Sequence, residues 1–197
     1  KYFIFSFDDR NSKRKLLGIQ RDNFVIGHTG RKKKKKNHFF IIKIFAELHR
    51  LRPDSRLVLL GEGPLEPAIR AQVIELGLKE VVFFTGLQAD VASYLSAMDV
   101  FLLPSHYEGF CISLLEAQAN GLPCLASNVI PNEVKITPSV ITCDDNSSIT
   151  EYVSKLFKLY QVGRVNSASN IAKIKKSGYD SDIQISTLIG MYNIKTL

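Results

Sequence analysis

The sequence predicts a doubly wound α/β domain built on a parallel sheet, and three features predict it. Short, wholly apolar runs of strand length recur along the chain, amphipathic stretches of helical period lie between them, and glycine or proline marks most of the junctions. Runs that are apolar throughout, rather than alternating, belong to strands buried on both faces, as parallel strands are.

The elements follow in order. A helix is expected over residues 9–17, and residues 24–27, beginning at Phe24, make the first strand. A basic run from Arg31 to Lys36 leads into a helix over 37–51, where Phe40, Ile41, Ile44, Phe45, Leu48 and Leu51 recur at helical spacing and Pro53 ends the pattern. The second strand is 57–60, bounded by Gly61 and Gly63. Pro64 suits the first turn of the next helix, which runs to about Leu76 with Gly77 as its left-handed stop. Residues 81–84 form the third strand, and Asp90 caps a helix over 91–97. The fourth strand, 100–103, is stopped by Pro104 and feeds a loop and a helix of roughly 110–120, which ends at Gly121. A fifth strand is expected at 123–126 and a sixth at 140–142, followed by helices over 148–162 and 166–176 and a weakly patterned helical tail.

Composition narrows the class. With 197 residues, 45% hydrophobic and 23% charged, the chain has room for one sizeable core and none for two full domains of this type. Cys111, Cys124 and Cys143 show neither metal-ligand nor C-x-x-C spacing, so they read as reduced core thiols and the expected compartment is cytoplasmic. No apolar run approaches the about 20 residues a membrane span needs, and no signal-peptide pattern opens the chain. The opening residues, which lack Met, read as the interior of a longer protein. Lys and Arg total 26 against 19 Asp and Glu, a net charge of +7, which points to an anionic partner: nucleotide, nucleic acid or acidic membrane surface.

In a doubly wound sheet, ligands sit beyond the carboxyl ends of the strands, where loops enter helix N-termini. The loop after the fourth strand reads Pro104, Ser105, His106, Tyr107, Glu108, Gly109, Phe110, Cys111. Gly109 lets backbone approach a ligand closely, and the free N–H groups opening the next helix favour phosphate. Glu116 lies on that helix, about 7 Å along its axis from Cys111 at 1.5 Å of rise per residue, so Glu108 and Glu116 can bracket a diphosphate. A carboxylate accepts both protons of a vicinal diol such as a ribose presents. Two glutamates eight apart also occur by chance, as a loop carboxylate and a solvated helix face.

Glu108-x7-Glu116, set in a Glu-Gly-Phe-x4-Leu-Glu-Ala stretch, resembles the signature of family 4 retaining glycosyltransferases of GT-B fold. Gly30-Arg31-x4-Lys36-Asn37-His38, Gly61-Glu62-Gly63-Pro64 and the run from Asp99 to Ser105 resemble other landmarks of that family in the same order. The likeness covers roughly 25–127 and is nearest to bacterial capsule and exopolysaccharide transferases; after Cys143 only the stretch from Ser177 to Asp180 matches, in outline.

The resemblance implies a Rossmann-like C-terminal domain of a GT-B enzyme with trailing helices. Residues 1–23 would lead in from an N-terminal acceptor domain, 24–176 would bind the nucleotide sugar, and 177–197 would be the helical tail. It also implies roles: Glu116 on the ribose diol, Glu108 at the donor sugar as the catalytic carboxylate, Arg31 and Lys36 on the pyrophosphate, backbone of Gly109, Phe110 and Cys111 as further donors, and Gly86 beside the nucleobase. The donor would be UDP- or GDP-linked and no cofactor is implied. With no Asp-x-Asp pair in the loops that follow the first four strands, no metal is expected to hold the phosphates. The acceptor would be a glycan or lipid-linked glycan, with peripheral contact at the inner membrane face and no nucleic acid. Lys32 to Lys35 are expected to be a solvated loop. His28 and His38 read as satisfied core or loop histidines, while His106 is a further crevice candidate. A GT-B sugar-nucleotide epimerase and a basic nucleotide- or nucleic-acid-binding module without catalysis are the alternatives. A dinucleotide fingerprint at Gly61 to Glu66 is disfavoured because Glu66 would repel pyrophosphate.

Overall fold

The computed structural model describes residues 3–144 and 146–179, with Ile185 and Ile189 beyond them. Six strands, β1 (Phe24–Thr29), β2 (Ser55–Leu60), β3 (Val82–Gly86), β4 (Val100–Leu103), β5 (Cys124–Ser127) and β6 (Val140–Cys143), form one sheet in the order β3-β2-β1-β4-β5-β6. Every neighbouring pair is parallel. The order reverses between β1 and β4, which makes the space beyond their carboxyl ends the topological switch point of the domain.

Helices cover the two faces: α1 (Phe7–Leu16), α2 (His38–Leu51), α3 (Glu66–Glu75), α4 (Val91–Ala97), α5 (Ile112–Ala119), α6 (Ile149–Val162) and α7 (Ser167–Lys176). Side chains alternate along β1: Phe24 and Ile26 enter the layer that includes Ile41, Phe45, Ile69 and Leu156, while Val25 enters the opposite layer with Leu95, Met98, Leu103 and Leu114. Of the apolar face read from α2, Ile41, Ile44, Phe45 and Leu48 reach the first layer and Phe40 packs against it, while Leu51 stays exposed. Gly27 sits on β1 where Met98 crosses; a Cβ there would overlap the Met98 side chain, so the glycine creates the room for close packing.

Local chemistry explains most boundaries. Ser6, Asp90, Ser148 and Asn166 each accept the backbone N–H three residues on, capping α1, α4, α6 and α7. Three expected helix starts move, the first being α1, which begins at Phe7 rather than at residue 9 because Ser6 caps it. Pro67, not Pro64, stands in the first turn of α3, because residues 61–65 are held as a loop by Lys32. Helix α5 begins at Ile112 with Cys111 as N-cap, leaving Phe110 in the preceding loop. Helix α1 packs on α4, where Arg10 and Arg14 pair with Asp99 at 2.7 and 2.9 Å and Asp99 in turn accepts the Val25 N–H at 2.8 Å. The helical tail expected over 177–197 falls, after Tyr179, almost wholly outside the described residues.

Candidate functional site

Two loops meet at the switch point. One leaves β1 through Gly30, makes a 3-10 turn over Lys34–Lys36 and enters α2 through Asn37, which holds a left-handed φ of 55°; asparagine tolerates that conformation better than most residues. The other leaves β4 through Pro104 and reaches α5 through Cys111. They are stitched together: the His106 N–H donates to the Lys35 carbonyl at 2.9 Å, and Asn37 Nδ2 donates to the Pro104 carbonyl at 3.1 Å. Ser127 on β5 donates to the Ser105 carbonyl at 2.6 Å, fixing the second loop from beneath.

At the centre, Lys36 Nζ lies 2.6 Å from Glu108 Oε1, and the Ser105 hydroxyl donates to the same oxygen at 2.7 Å. Both side chains of this ion pair are nearly buried, at 11% and 3% exposure. Gly30 shapes the neighbouring wall, since a Cβ on it would stand 2.8 Å from His28 Nε2 and 3.2 Å from the Lys36 methylenes. Directly after Glu108 in the chain, the backbone N–H groups of Gly109, Phe110 and Cys111 donate to no acceptor among the described residues. They lead into α5, so three free donors and the positive end of that helix belong to one stretch of chain.

The structure brings Lys36, Glu108 and the 109–111 backbone together. Arg31 lies on the same first loop, exposed, its side chain bonded to nothing among the described residues. Gly86 ends β3 with φ +67°, its carbonyl accepting the Gly61 N–H at 2.8 Å and Glu62 Oε1 lying 3.1 Å from where its Cβ would be. Glu116, on α5, is half-buried and meets no cation or donor among the described residues; burial alone raises its carboxyl to about 7.

Lys32 contradicts the expectation of a solvated run. It is fully buried, its ammonium donating to the Gly61 carbonyl and pairing with Glu66 at 3.2 Å. Its backbone donates to Glu62 O at 3.0 Å and accepts from Leu65 N at 3.2 Å, so the glycine-rich loop after β2 wraps around it. A Cβ on Gly63 would stand 2.5 to 2.8 Å from the Lys32 backbone, which explains that glycine. Lys33, Lys34 and Lys35 are exposed, as expected.

His28 is inside β1 rather than at its end, and His38 opens α2; both are buried. His28 Nδ1 lies 2.9 Å from the Leu102 carbonyl and must carry the proton, because a carbonyl only accepts. The expectation of satisfied rings fails in part: His28 Nε2 and both nitrogens of His38 have no partner among the described residues, and the two rings meet edge to face at 4.8 Å. Burial lowers both, His38 to about 4, so both are neutral at neutral pH. His106 is exposed at the rim.

Residues 9–177 match the family model described as glycosyl transferases group 1. The chain belongs to that family. Among curated group 1 relatives, the putative glycosyltransferase EpsF of Bacillus subtilis is 32% identical over 180 residues, covering 91% of this chain and 47% of that protein. The Escherichia coli UDP-Gal:alpha-D-GlcNAc-diphosphoundecaprenol alpha-1,3-galactosyltransferase is 36% identical over 123 residues, 61% of this chain and 32% of that one. The chain thus spans less than half the length of these relatives. Among solved structures, Anabaena HepE in complex with UDP and glucose superposes with a TM-score of 0.78 at 20% identity, covering 98% of this chain and 54% of that one. The chain therefore shares the Rossmann-like fold class of a GT-B half with this solved structure. Neither the epimerase nor the nucleic-acid reading gains support from these matches. No helix among the described residues is long and apolar enough to cross a membrane.

Proposed function

We propose that this chain is the donor-binding part of a retaining glycosyltransferase of polysaccharide biosynthesis, moving a sugar from a nucleoside diphosphate to a glycan or lipid-linked acceptor held by a further domain. The observation that carries this is the Lys36–Glu108 pair followed by the three free N–H groups of 109–111, at the switch point of the sheet. Within it, residues 24–176 bind the donor and 1–23 lead in from the acceptor domain. Lys36, with Arg31 at the rim, and the backbone donors of Gly109, Phe110 and Cys111 receive the pyrophosphate. Lysine has three N–H donors, so Lys36 can hold a phosphate oxygen while keeping Glu108. Glu108, fixed by Lys36 and Ser105, accepts from the donor sugar's hydroxyls, and Glu116 accepts from the ribose diol. The backbone at Gly86 lines the base.

UDP is the favoured nucleotide, since HepE is solved with UDP, with UDP and glucose, and with UDP-glucose. The acceptor named for the E. coli relative is a sugar on diphosphoundecaprenol, which supports a lipid-linked acceptor and peripheral membrane contact for this chain's parent protein. Charge on the leaving diphosphate is met by side chains and the helix N-terminus rather than a metal. EDTA should therefore leave turnover of the complete enzyme unchanged; loss restored by magnesium would refute that account.

The reading is tested at Glu116. Its carboxyl is raised in the folded chain to about 7, so the fold itself is disfavoured by this group as pH rises from about 4.5, where the unfolded carboxyl ionises, to about 7. Nucleotide binding runs the other way, because the ionised carboxylate is the better acceptor for two hydroxyls. UDP affinity should rise between pH 6 and pH 8, and Glu116→Gln should weaken binding and flatten that rise relative to wild type. Calorimetry at both pH values showing the same UDP affinity and the same pH slope in the two proteins would sink the ribose assignment.

A further inference from the structure

The proposed phosphate cradle has a weak point in its own construction. Phe110, the middle residue of the three with free N–H groups, is 54% exposed, and its neighbour Gly109 has no side chain to anchor. The loop is secured on its inner side by Glu108 and by the buried Cys111. The Tyr179 ring lies 5.2 Å from the Phe110 ring, centroid to centroid, with the planes inclined at 53°.

Tyr179 comes from far along the chain, and its position is set with care. Helix α7 packs on α5, with Asn170 Nδ2 donating to the Gln118 carbonyl at 2.8 Å in the buried interface. The end of α7 is a complete Schellman closure: Gly178, at φ +85°, donates to Lys175 O at 2.9 Å, and Tyr179 N donates to Ile174 O at 3.2 Å. That closure turns the chain back and presents the Tyr179 side chain at the N-terminal end of α5. Its hydroxyl then donates to the Glu133 carbonyl at 3.2 Å, tying the ring to the 3-10 turn over Asn132–Val134. Helix packing, a helix stop and a hydrogen bond thus converge to hold one ring against Phe110.

We infer that Tyr179 is a positioning residue for the phosphate cradle: through Phe110 it holds the backbone donors of 109–111 in the geometry that receives a diphosphate. It touches no phosphate itself. The inference rests on the proposed reading for what the cradle binds, whereas the brace is a property of the chain alone. An aromatic pair in such geometry fixes the order of a loop by an amount equivalent to a few-fold in affinity, because a loop already in its bound form pays less to bind.

The test has two arms on the full chain, comparing wild type, Tyr179→Phe and Tyr179→Ala. Without nucleotide, the backbone order of 109–111, read from 15N relaxation, should fall in Tyr179→Ala, with Tyr179→Phe close to wild type because the ring remains. With ligand, Tyr179→Ala should weaken UDP binding by about three- to tenfold while leaving uridine affinity unchanged, since only the phosphates use the cradle. Unchanged order at 109–111, or an equal loss for uridine and UDP, would overturn the inference. Wild-type protein that binds no UDP, with order at 109–111 still lowered in Tyr179→Ala, would overturn the donor-binding reading and leave the brace standing.

Discussion

Replacing Arg164 by alanine should lower the unfolding free energy by about 3 kcal/mol or more. The guanidinium ends two helices at once. It donates to Leu95 O, Ser96 O and Met98 O at 3.1, 3.3 and 2.7 Å, where α4 stops, and to Asn120 O at 2.7 Å, where α5 stops. Asn120 Oδ1 takes a further bond, and the Phe5 ring covers the group at 4.3 Å. Burial, with Arg10 nearby, lowers Arg164 to about 9, so it remains charged at neutral pH. Truncation would leave carbonyls of two helix ends without this donor, each costing about 1–3 kcal/mol when buried. For a domain of this size the melting temperature should fall by roughly 6–12 °C. Arg164→Lys should recover only part of that, since an ammonium cannot span acceptors on two helices as a planar fork does. A melting temperature within about 2 °C of wild type for the alanine variant would show that α4 and α5 end independently of it.

The first four strands were legible because each is a short apolar run closed by a nearby glycine or proline, and the 91–97 helix by Asp90. What stayed hidden was whatever depended on contacts across the chain. Lys32 stands in a run of five lysines, and nothing local separates it from Lys33; its burial follows from Gly61, Gly63 and Glu66 closing around it, all contributed by the next βα loop. Glu66 was read only as a group that would repel pyrophosphate, when its carboxylate is occupied by Lys32 and by Arg70 at 2.7 Å. Pro64 and Pro67 are equally good first-turn residues by composition, and the choice between them is made by the same Lys32 contacts. Tyr179 lay within a stretch that resembles the family only in outline, and its partner Phe110 is distant in sequence. At the site itself, Glu108, Lys36 and the 109–111 backbone follow from the family resemblance, but the pairing of Lys36 with Glu108 does not, since the resemblance gives Lys36 to phosphate and Glu108 to sugar as separate tasks.

That pairing sets the last expectation, which separates Lys36 from the lysines beside it. Lys36→Ala leaves Glu108, 3% exposed, with Ser105 as its remaining side-chain donor. Removing one member of a buried ion pair costs about 3 kcal/mol of stability. The same change removes a charged contact to diphosphate, so UDP affinity should fall by roughly 10- to 100-fold, from about 1.5–3 kcal/mol per charge-assisted bond. Because the ammonium is nearly buried, much of the loss should persist at high salt. Lys33 and Lys34 are exposed and carry no ion pair among the described residues; their alanine variants should lose under about 0.5 kcal/mol, and salt should erase the difference because exposed charges are screened over about 8 Å. Glu108→Gln provides the complementary result. It keeps an oxygen for Ser105 and frees the ammonium for phosphate, so UDP affinity should hold while turnover of the complete enzyme falls, the carboxylate being needed most as charge develops on the sugar. Titrations of Lys36→Ala, Lys33→Ala, Lys34→Ala and Glu108→Gln with UDP at low and high salt decide the matter. If the three lysine variants lose affinity equally and salt abolishes every difference, the run acts as a diffuse positive field; if Glu108→Gln loses UDP as Lys36→Ala does, the two residues serve the phosphate together and the sugar must be held elsewhere.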